Sequence, residues 1–572
     1  MEVDSDACIQ IEGADALGAV YGVYEVSQRF LGVDPLWFWK DLEPEPLPDL
    51  QLNPMRMQSE SPRFRYRGWF INDEDLLAQW REPAGERFRH WSAHPGKWNS
   101  TPGAPPPTYE ERLVEYYTPV TALETMEAIF EALLRMRGNF IIPASFIDVM
   151  EPCETAIIRA AVRRGLYVSQ HHVEPLGVSH FAFETWWAAQ GKQPSFSYRE
   201  SAEEMRKCWR AYATAWADLA GDQLVWQLGL RGRGDHPLWA HDPQAKNMAG
   251  RLISEALKDQ MEIIREVDSR PVAPATLTLW FEGAQLIAEE QLQVPKGVTL
   301  VFADDPSTQH LQEDFETIPR QSDCSYGLYF HTAVWTMGPH LVQGPMLGKI
   351  TNAVMKVAQK GDTEIAVLNV ANLREHVLGV ACWHHQLRNP ERSKEVAFPP
   401  NALPEDWIPF YKQFFDAVPE LRPHCYLYDG AARTYLNVHL YALELGLAIP
   451  EYLRVAIEDD VVQTRRKLTK AIKVFNDLIA QTDAYQPPPN LQKFFDANFR
   501  AQLRLLCGLY GAFLGMLSSP PDYDRALSSL EMCKEGKTLA TKGKWGEWYR
   551  GDCKVGVNRL MARIQRLSES TV

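Results

Sequence analysis

Between about residues 63 and 390 the chain carries eight short apolar runs, with helical stretches between most of them. The runs are "YRGWFI", "NFIIPA", "GLYVSQ", "QLVWQLG", "TLTLWF", "VTLVFA", "YGLYFH" and "EIAVLNV". "TALETMEAIFEALLRMR" and "SAEEMRKCWRAYATAWADLA" are examples of the helical patterns. Strands separated by helices pair in parallel through right-handed crossovers. Eight of them predict a (β/α)8 TIM-like barrel. An open doubly wound sheet is the competing α/β architecture. No GxGxxG or GxxxxGK[ST] follows a strand here, which weakens its nucleotide-binding form.

The flanks read differently, and 572 residues are too many for one core. Residues 1–55 read as a partial α/β domain and a linker. "CIQIEG" could be a strand, "DALGAVYGVYEVSQRFLG" has helical spacing and a glycine stop, and "PLWFW" reads as a buried strand. One helix and two short strands cannot hold a core. This piece must therefore pack on the next domain, or it lacks its partner half. A proline-rich linker, "DLEPEPLPDLQLNP", follows. Residues 56–395 hold the barrel, with "HWSAHPGKWNSTPGAPPPTYEER" as a long polar loop. Residues 396–572 read as an all-α bundle of four or five helices.

A net charge of −15 without a basic block argues against nucleic acid as a partner. No apolar run approaches the ~20 residues that span a bilayer. The start, "MEVDSDACIQ", lacks the shape of a signal peptide. The expectation is a cytoplasmic protein if the chain is complete, and an extracellular one if it is N-terminally truncated. Nine widely spaced cysteines with no CxxC argue for free thiols rather than disulfides or structural zinc.

A (β/α)8 barrel keeps its active site at the C-terminal ends of its strands. Six of the eight runs end in carboxylates, histidines or arginines. Asn72, Asp73, Glu74 and Asp75 follow the first run, and Asp148 comes after the second. His171, His172 and Glu174 follow the third, then Arg231, Arg233, Asp235 and His236 the fourth. Glu282 follows the fifth, Asp304 and Asp305 the sixth, and Tyr329 and His331 close the seventh. Many carboxylates around one mouth suit glycoside hydrolysis, which needs one protonated and one ionised carboxyl group. Neighbouring carboxylates push their pKa values apart and so supply the protonated member. Among 18 tryptophans, Trp69, Trp239, Trp280 and Trp335 lie near strand ends, where an aromatic face can stack on a sugar ring. A metal site built from His171, His172, Asp235 and His331 competes. Adjacent histidines on a strand point to opposite faces, which counts against it. His384 and His385, past the last run, read as surface or core polar residues.

The motifs "GAVYGVYEVSQRFLGVDPLWFW", "YRGWFINDED", "HVEP", "GLRGRGD", "LWFEG", "VTLVFADD" and "YGLYFHTAVWTMGPH" occur in this order over roughly residues 15 to 390. In this the chain resembles glycoside hydrolase family 115, the xylan α-1,2-glucuronidases. The resemblance implies an N-terminal α/β domain, a (β/α)8 barrel, a helical bundle and C-terminal β-sandwich modules. Here the first is short and nothing resembling the last follows the bundle. It also implies inverting removal of 4-O-methylglucuronic acid from xylan, or from another glycan bearing glucuronic acid, without a metal or other cofactor. By motif Glu282 is the implied general acid. Asp235, Asp304, Asp305 and Glu174 are the alternatives for the base. Arg231 resembles the arginine that meets the substrate carboxylate, a contact suited to a planar guanidinium. Asn72, Asp73, Glu74, Asp148, His172, Tyr329, His331 and Trp239 are the implied substrate-binding residues. Two departures stand out. Pro306 replaces the family's asparagine, and "NVANLREH", with Asn372 and Arg374, replaces a pattern like "NVGD-K-E". A barrel that binds acidic carbohydrate without turnover is the alternative they motivate. Late domains in the family can complete the site or a dimer, which leaves a homodimer open.

Overall fold

The computed structural model describes residues 2–3, 9–47, 49–50, 52–72, 75–88, 91, 117–280, 282–334, 337–344, 346–388, 398–422, 424–446, 461–552 and 554–571. Apart from Trp91, most of the long polar loop lies outside the described residues, as do Asp73, Glu74 and Trp335.

All eight apolar runs form strands of one parallel sheet. They are β1 (Tyr66–Phe70), β2 (Phe140–Ile142), β3 (Tyr167–Val168), β4 (Trp226–Leu228), β5 (Ala275–Leu279), β6 (Val298–Asp305), β7 (Ser325–His331) and β8 (Ile365–Asn369). Each pairs with its sequence neighbour, and β8 pairs with β1. The circle closes between β3 and β4, where Val168 bridges Leu224 in parallel and Val225 N donates to Val168 O at 2.9 Å. The sheet is therefore a (β/α)8 barrel rather than an open sheet.

The two-residue period of a strand sorts the side chains. Tyr66 and Phe70, Phe140 and Ile142, Val301 and Ala303, and Ile365 and Val367 meet in the barrel interior, with Tyr329 and Trp280 above them. Their alternates, such as Trp69, Ile141, Phe302 and Leu368, join the larger core under the helices. Trp69 is buried there and donates from Nε1 to His384 Nε2 at 2.8 Å, so it is no sugar platform. The covering helices include Leu123–Arg135, Pro152–Arg163, Tyr198–Ala220, Ala249–Val267, Leu347–Lys360 and Val377–Arg388.

In the N-terminal segment the helix Ala16–Phe30 forms as its spacing predicts, capped by Asp15, which accepts from Gly18 N at 2.7 Å. "PLWFW" is not a strand. It lies in consecutive turns, because Asp34 caps Leu36 N at 2.7 Å and Lys40 N bonds back to Leu36 O at 2.9 Å. That coiling puts Leu36 and Trp39 on one buried side. Phe38 and Trp39 then pack against Trp545 near the other end of the chain. The small segment thus borrows its core from distant residues.

After residue 400 the helices Ile408–Ala417, Asp429–Glu444, Val461–Ala484, Ala501–Met516, Tyr523–Ala540 and Val557–Thr571 dominate. Every described position of Ala501–Met516 but Arg504 is buried. Its Gly508 lets Tyr523–Ala540 approach closely, since a Cβ there would sit 2.5 Å from Ser529 O. Buried polar groups tie this layer to the barrel. Asp429 accepts from His340 N (2.9 Å) and Leu341 N (2.7 Å), and Glu375 accepts from Trp548 Nε1 at 2.7 Å. Arg374 donates to Ala540 O at 2.6 Å while lying 4.1 Å over the Trp545 ring.

Candidate active site

Six rings form a closed circuit at the C-terminal end of the barrel. In order they are Phe70, His171, His172, Trp280, His331 and Tyr329. Successive centroids lie 4.4, 4.2, 5.9, 5.4 and 5.0 Å apart, and Tyr329 returns to Phe70 at 6.3 Å. Trp280, His331 and Phe70 come from the ends of β5, β7 and β1. The two histidines share this circuit because β3 ends at Val168. They lie beyond the strand, so the alternation that would send them to opposite faces does not apply. Tyr329 is fixed by Asn369 at the end of β8, whose Nδ2 donates to its hydroxyl at 2.9 Å. His331 is fixed by Asp304, whose Oδ1 accepts from His331 N at 3.1 Å and lies 2.6 Å from its Nδ1.

Charge gathers at one point of this mouth. Arg231 donates from Nε to Asp235 Oδ1 at 2.7 Å and from Nη1 to Glu282 Oε1. One guanidinium, mostly buried, thus holds two carboxylates. The loop that carries it is pinned from below. Gln260, wholly buried in its helix, bonds Gly229 N at 3.0 Å and Gly229 O at 2.7 Å. Gly234 and Asp235 then take left-handed conformations, φ 58° and 64°. For Asp235 this costs roughly 1 kcal/mol, a strain of the kind that persists where the surroundings hold a side chain in place. His172 Nε2 lies 3.5 Å from Asp235 Oδ1. Burial pushes the Asp235 carboxyl up, but Arg231 and then His172 outweigh it and hold the group below the usual carboxylate range. Burial, and then His172, drive His171 well below the usual imidazole range, so it is neutral. Asp304 is raised, chiefly by burial, against the pull of His331.

Two buried atoms here, His172 Nδ1 and Asp304 Oδ2, have no hydrogen-bond partner among the described residues, while His171 Nδ1 and His172 Nε2 lie 3.6 and 3.5 Å from Glu174 Oε1 and Asp235 Oδ1. Buried polar atoms are nearly always paired. Donors and acceptors left open beside aromatic faces fit a ligand that is apolar on its faces and hydroxylated at its edges.

A sequence model of glycosyl hydrolase family 115 matches residues 59–411, more than half of the chain. The chain belongs to this family. It is a glycoside hydrolase, and its barrel lies within the matched span. Among solved structures it is similar to a family 115 4-O-methyl-α-glucuronidase with specificity for decorated arabinogalactans. That likeness has a TM-score of 0.66 and 19% identity, over 98% of this chain and 69% of that one. At that identity it is a likeness of fold. A family 138 enzyme targeting pectin rhamnogalacturonan II superposes with a TM-score of 0.44 and 10% identity, over 98% of this chain and 88% of that one. No curated protein matches the chain.

The remaining sequence candidates of this family member lie in other settings. Glu174 is wholly buried behind His171. Its Oε1 accepts from Phe146 N at 2.5 Å and so braces the loop after β2. Burial raises its pKa well above normal. Asp148 is also buried and raised by burial; its Oδ1 accepts from Met150 N at 3.0 Å. Asp305 Oδ1 caps the turn around Pro306, accepting from Ser307 N at 2.7 Å and Ser307 Oγ at 2.6 Å. Asn72 accepts from Ser145 Oγ at 2.7 Å, and Trp239 packs on the main core. Asn372 is buried beside His340, its Nδ2 3.5 Å from His340 O.

Two features were not read from the sequence. Glu184 binds Arg233 and accepts from Trp91 Nε1 at 2.5 Å, tying the Asp235 loop to the chain before β2. Its signal was a lone charge inside the apolar helix "HFAFETWWA". Arg87 is buried and donates to Ser145 O at 3.1 Å, Phe146 O at 2.9 Å and Glu154 Oε1 at 2.6 Å. No group of three or more metal-ligating side chains forms among the described residues, and none of their helices is long and apolar enough to cross a membrane.

Proposed function

We propose that this enzyme removes α-linked glucuronic acid, with or without its 4-O-methyl group, from a decorated polysaccharide by inverting acid–base hydrolysis. The observation that carries the reading is the buried Arg231 with Asp235 and Glu282 on it, set at the edge of a ring of six aromatic side chains. A guanidinium beside these rings suits a uronate carboxylate, which an arginine can meet with two parallel donors. The solved relative, a 4-O-methyl-α-glucuronidase, supports the same substrate class.

The roles follow from the environments. Asp235 keeps about a third of its side chain exposed and is held ionised by Arg231 and His172. It is placed to orient water and take its proton. Glu282 opens the helix Glu282–Ala288 directly after β5 and is the general acid. Asp304 acts through His331. By holding its Nδ1, Asp304 turns the other side of the imidazole toward the mouth. His172 takes a sugar hydroxyl through Nδ1, while its Nε2 stays beside Asp235. An inverting pair must leave room for water between the carboxyl groups. Glycan identity is the finer question. Xylan is the family expectation, and decorated arabinogalactan is the substrate named for the solved relative.

The test is release of free (4-O-methyl)glucuronic acid from glucuronoxylan and from glucuronate-decorated arabinogalactan, followed by NMR. Release with the β-anomer appearing first supports both substrate class and stereochemistry. Release of the α-anomer first overturns inversion. No release from either glycan, by a chain whose fold is verified, overturns the substrate class.

A further inference from the structure

Arg231 presents a problem of charge that bears on how the general acid acquires its proton. In the free enzyme its guanidinium is shared by Asp235, through Nε and the Asp235 carbonyl oxygen, and by Glu282, through Nη1. Glu282 Oε1 accepts from the guanidinium, which has only donors to offer. A general acid must carry a proton when the glycosidic bond breaks. The resting geometry thus shows Glu282 in the wrong state for its role.

We infer that the carboxylate of the bound uronate displaces Glu282 from Arg231, and that Glu282 takes up a proton from solvent as a result. This rests on the uronidase reading given above. One buried guanidinium cannot balance three carboxylates, and like charges crowded in a low-dielectric site cannot all stay ionised. The Asp235 carboxylate is held on Arg231 Nε, its backbone carbonyl accepts from the same guanidinium and His172 lies beside it, whereas Glu282 meets Arg231 through Nη1 alone among the described residues. Glu282 is therefore the member that yields. Among the described residues His171 and His172 lie beside Arg231 and Asp235, and His331 with Asp304 follows in the ring circuit. His171 is neutral, His172 faces Asp235 and His331 faces Asp304, so none of them is placed as a replacement cation for Glu282.

The proton then balances over one turnover. Glu282 gives it to the glycosidic oxygen as the bond to C1 breaks. Water forms the new C1–O bond and loses its proton to Asp235, which returns it to solvent. When the product leaves, Glu282 closes back on Arg231. The device also explains selectivity in chemical terms: a neutral hexose in the same mouth would leave Glu282 ionised and the acid unmade.

Calorimetric titration of the full chain with D-glucuronate tests this, in two buffers of different ionisation enthalpy, at pH 7 and 8. The expected result is uptake of close to one proton per glucuronate bound. The apparent Kd then weakens by about tenfold per pH unit, as one linked proton requires. Glu282→Gln, which mimics the protonated acid in shape and charge, should bind without uptake, show no pH dependence and bind more tightly than the unmodified chain at pH 8. A merely structural Glu282 would give weaker binding instead. Binding by the unmodified chain without proton uptake overturns the displacement and leaves the uronidase reading standing. Uptake that persists in Glu282→Gln overturns the assignment of the proton. Failure of the folded, unmodified chain to bind glucuronate overturns the uronidase reading, and this inference with it.

Discussion

Two arginines each hold carboxylate side chains, Arg87 one and Arg231 two, and they differ in what surrounds them. Arg87 spends its donors on the carbonyls of Tyr117, Ser145 and Phe146 and on Glu154, whose side chain is 1% exposed. Glu154 returns a bond to Asp148 N at 2.7 Å, and Glu174 sits nearby on Phe146 N. That cluster is dry and closed, and it holds the loop after β2. Arg231 instead holds carboxylates that remain 33% and 13% exposed, beside a ring with an open nitrogen. The same residue types make a structural joint in one place and the proposed reactive site in the other. Access, rather than charge, separates them.

The largest effect should come from the open cluster. Glu282→Gln and Asp235→Asn should each lower release of glucuronic acid by roughly 10²–10⁴-fold, the usual contribution of a general acid or base, with little change in melting temperature. A comparable loss of stability in either variant would blur the contrast.

The closed cluster should answer in stability instead. Arg87→Met leaves Glu154, whose carboxyl burial raises to about 8, and the carbonyls of Tyr117, Ser145 and Phe146 without their donor. It should cost about 3–5 kcal/mol, at roughly 1–3 kcal/mol per buried unpaired group, read as a fall in the melting temperature. The double variant Arg87→Met with Glu154→Met should regain much of it, because a buried pair replaced by apolar groups is often nearly neutral. No regain would mean that the backbone contacts of Arg87 matter more than its ion pair.

A third carboxylate lies on the joint with the C-terminal helices. Burial, opposed first by Arg374, raises the Glu375 carboxyl to about 7. The native state therefore keeps a proton that the unfolded chain loses near pH 4.3. Stability should fall as pH rises through the window between these values, by on the order of 3 kcal/mol in all. Melting curves of Glu375→Gln should lack that slope. The smallest effect is expected at Glu174. Glu174→Gln can still accept from Phe146 N, so it should cost about 1 kcal/mol of stability and leave turnover nearly intact. A collapse of turnover at unchanged stability would move Glu174 into the reactive group.

The barrel was legible because each strand is a continuous apolar run between helices, a signal that depends on neighbours in sequence. The roles of its carboxylates were not, because their partners are remote. Glu174 meets Phe146 from 28 residues away, and Glu282 meets Arg231 from 51. From the sequence, Asp305 at the end of β6 and Asp235 look alike, and only the structure shows that Asp305 Oδ1 accepts from Ser307 in its own turn while Asp235 meets Arg231. Parity misled at His171 and His172 because two polar residues, Ser169 and Gln170, separate them from the end of β3. "PLWFW" misled because a buried aromatic run fits a strand and a coiled turn equally, and only Asp34 before it marks the turn.

The most direct test of the contrast is one assay on three proteins: release of glucuronic acid by the unmodified chain, Glu282→Gln and Glu174→Gln, each shown to be folded. The account predicts release by the first and the third and almost none by the second. Release that survives Glu282→Gln but is abolished by Glu174→Gln would place the chemistry behind His171 and contradict it.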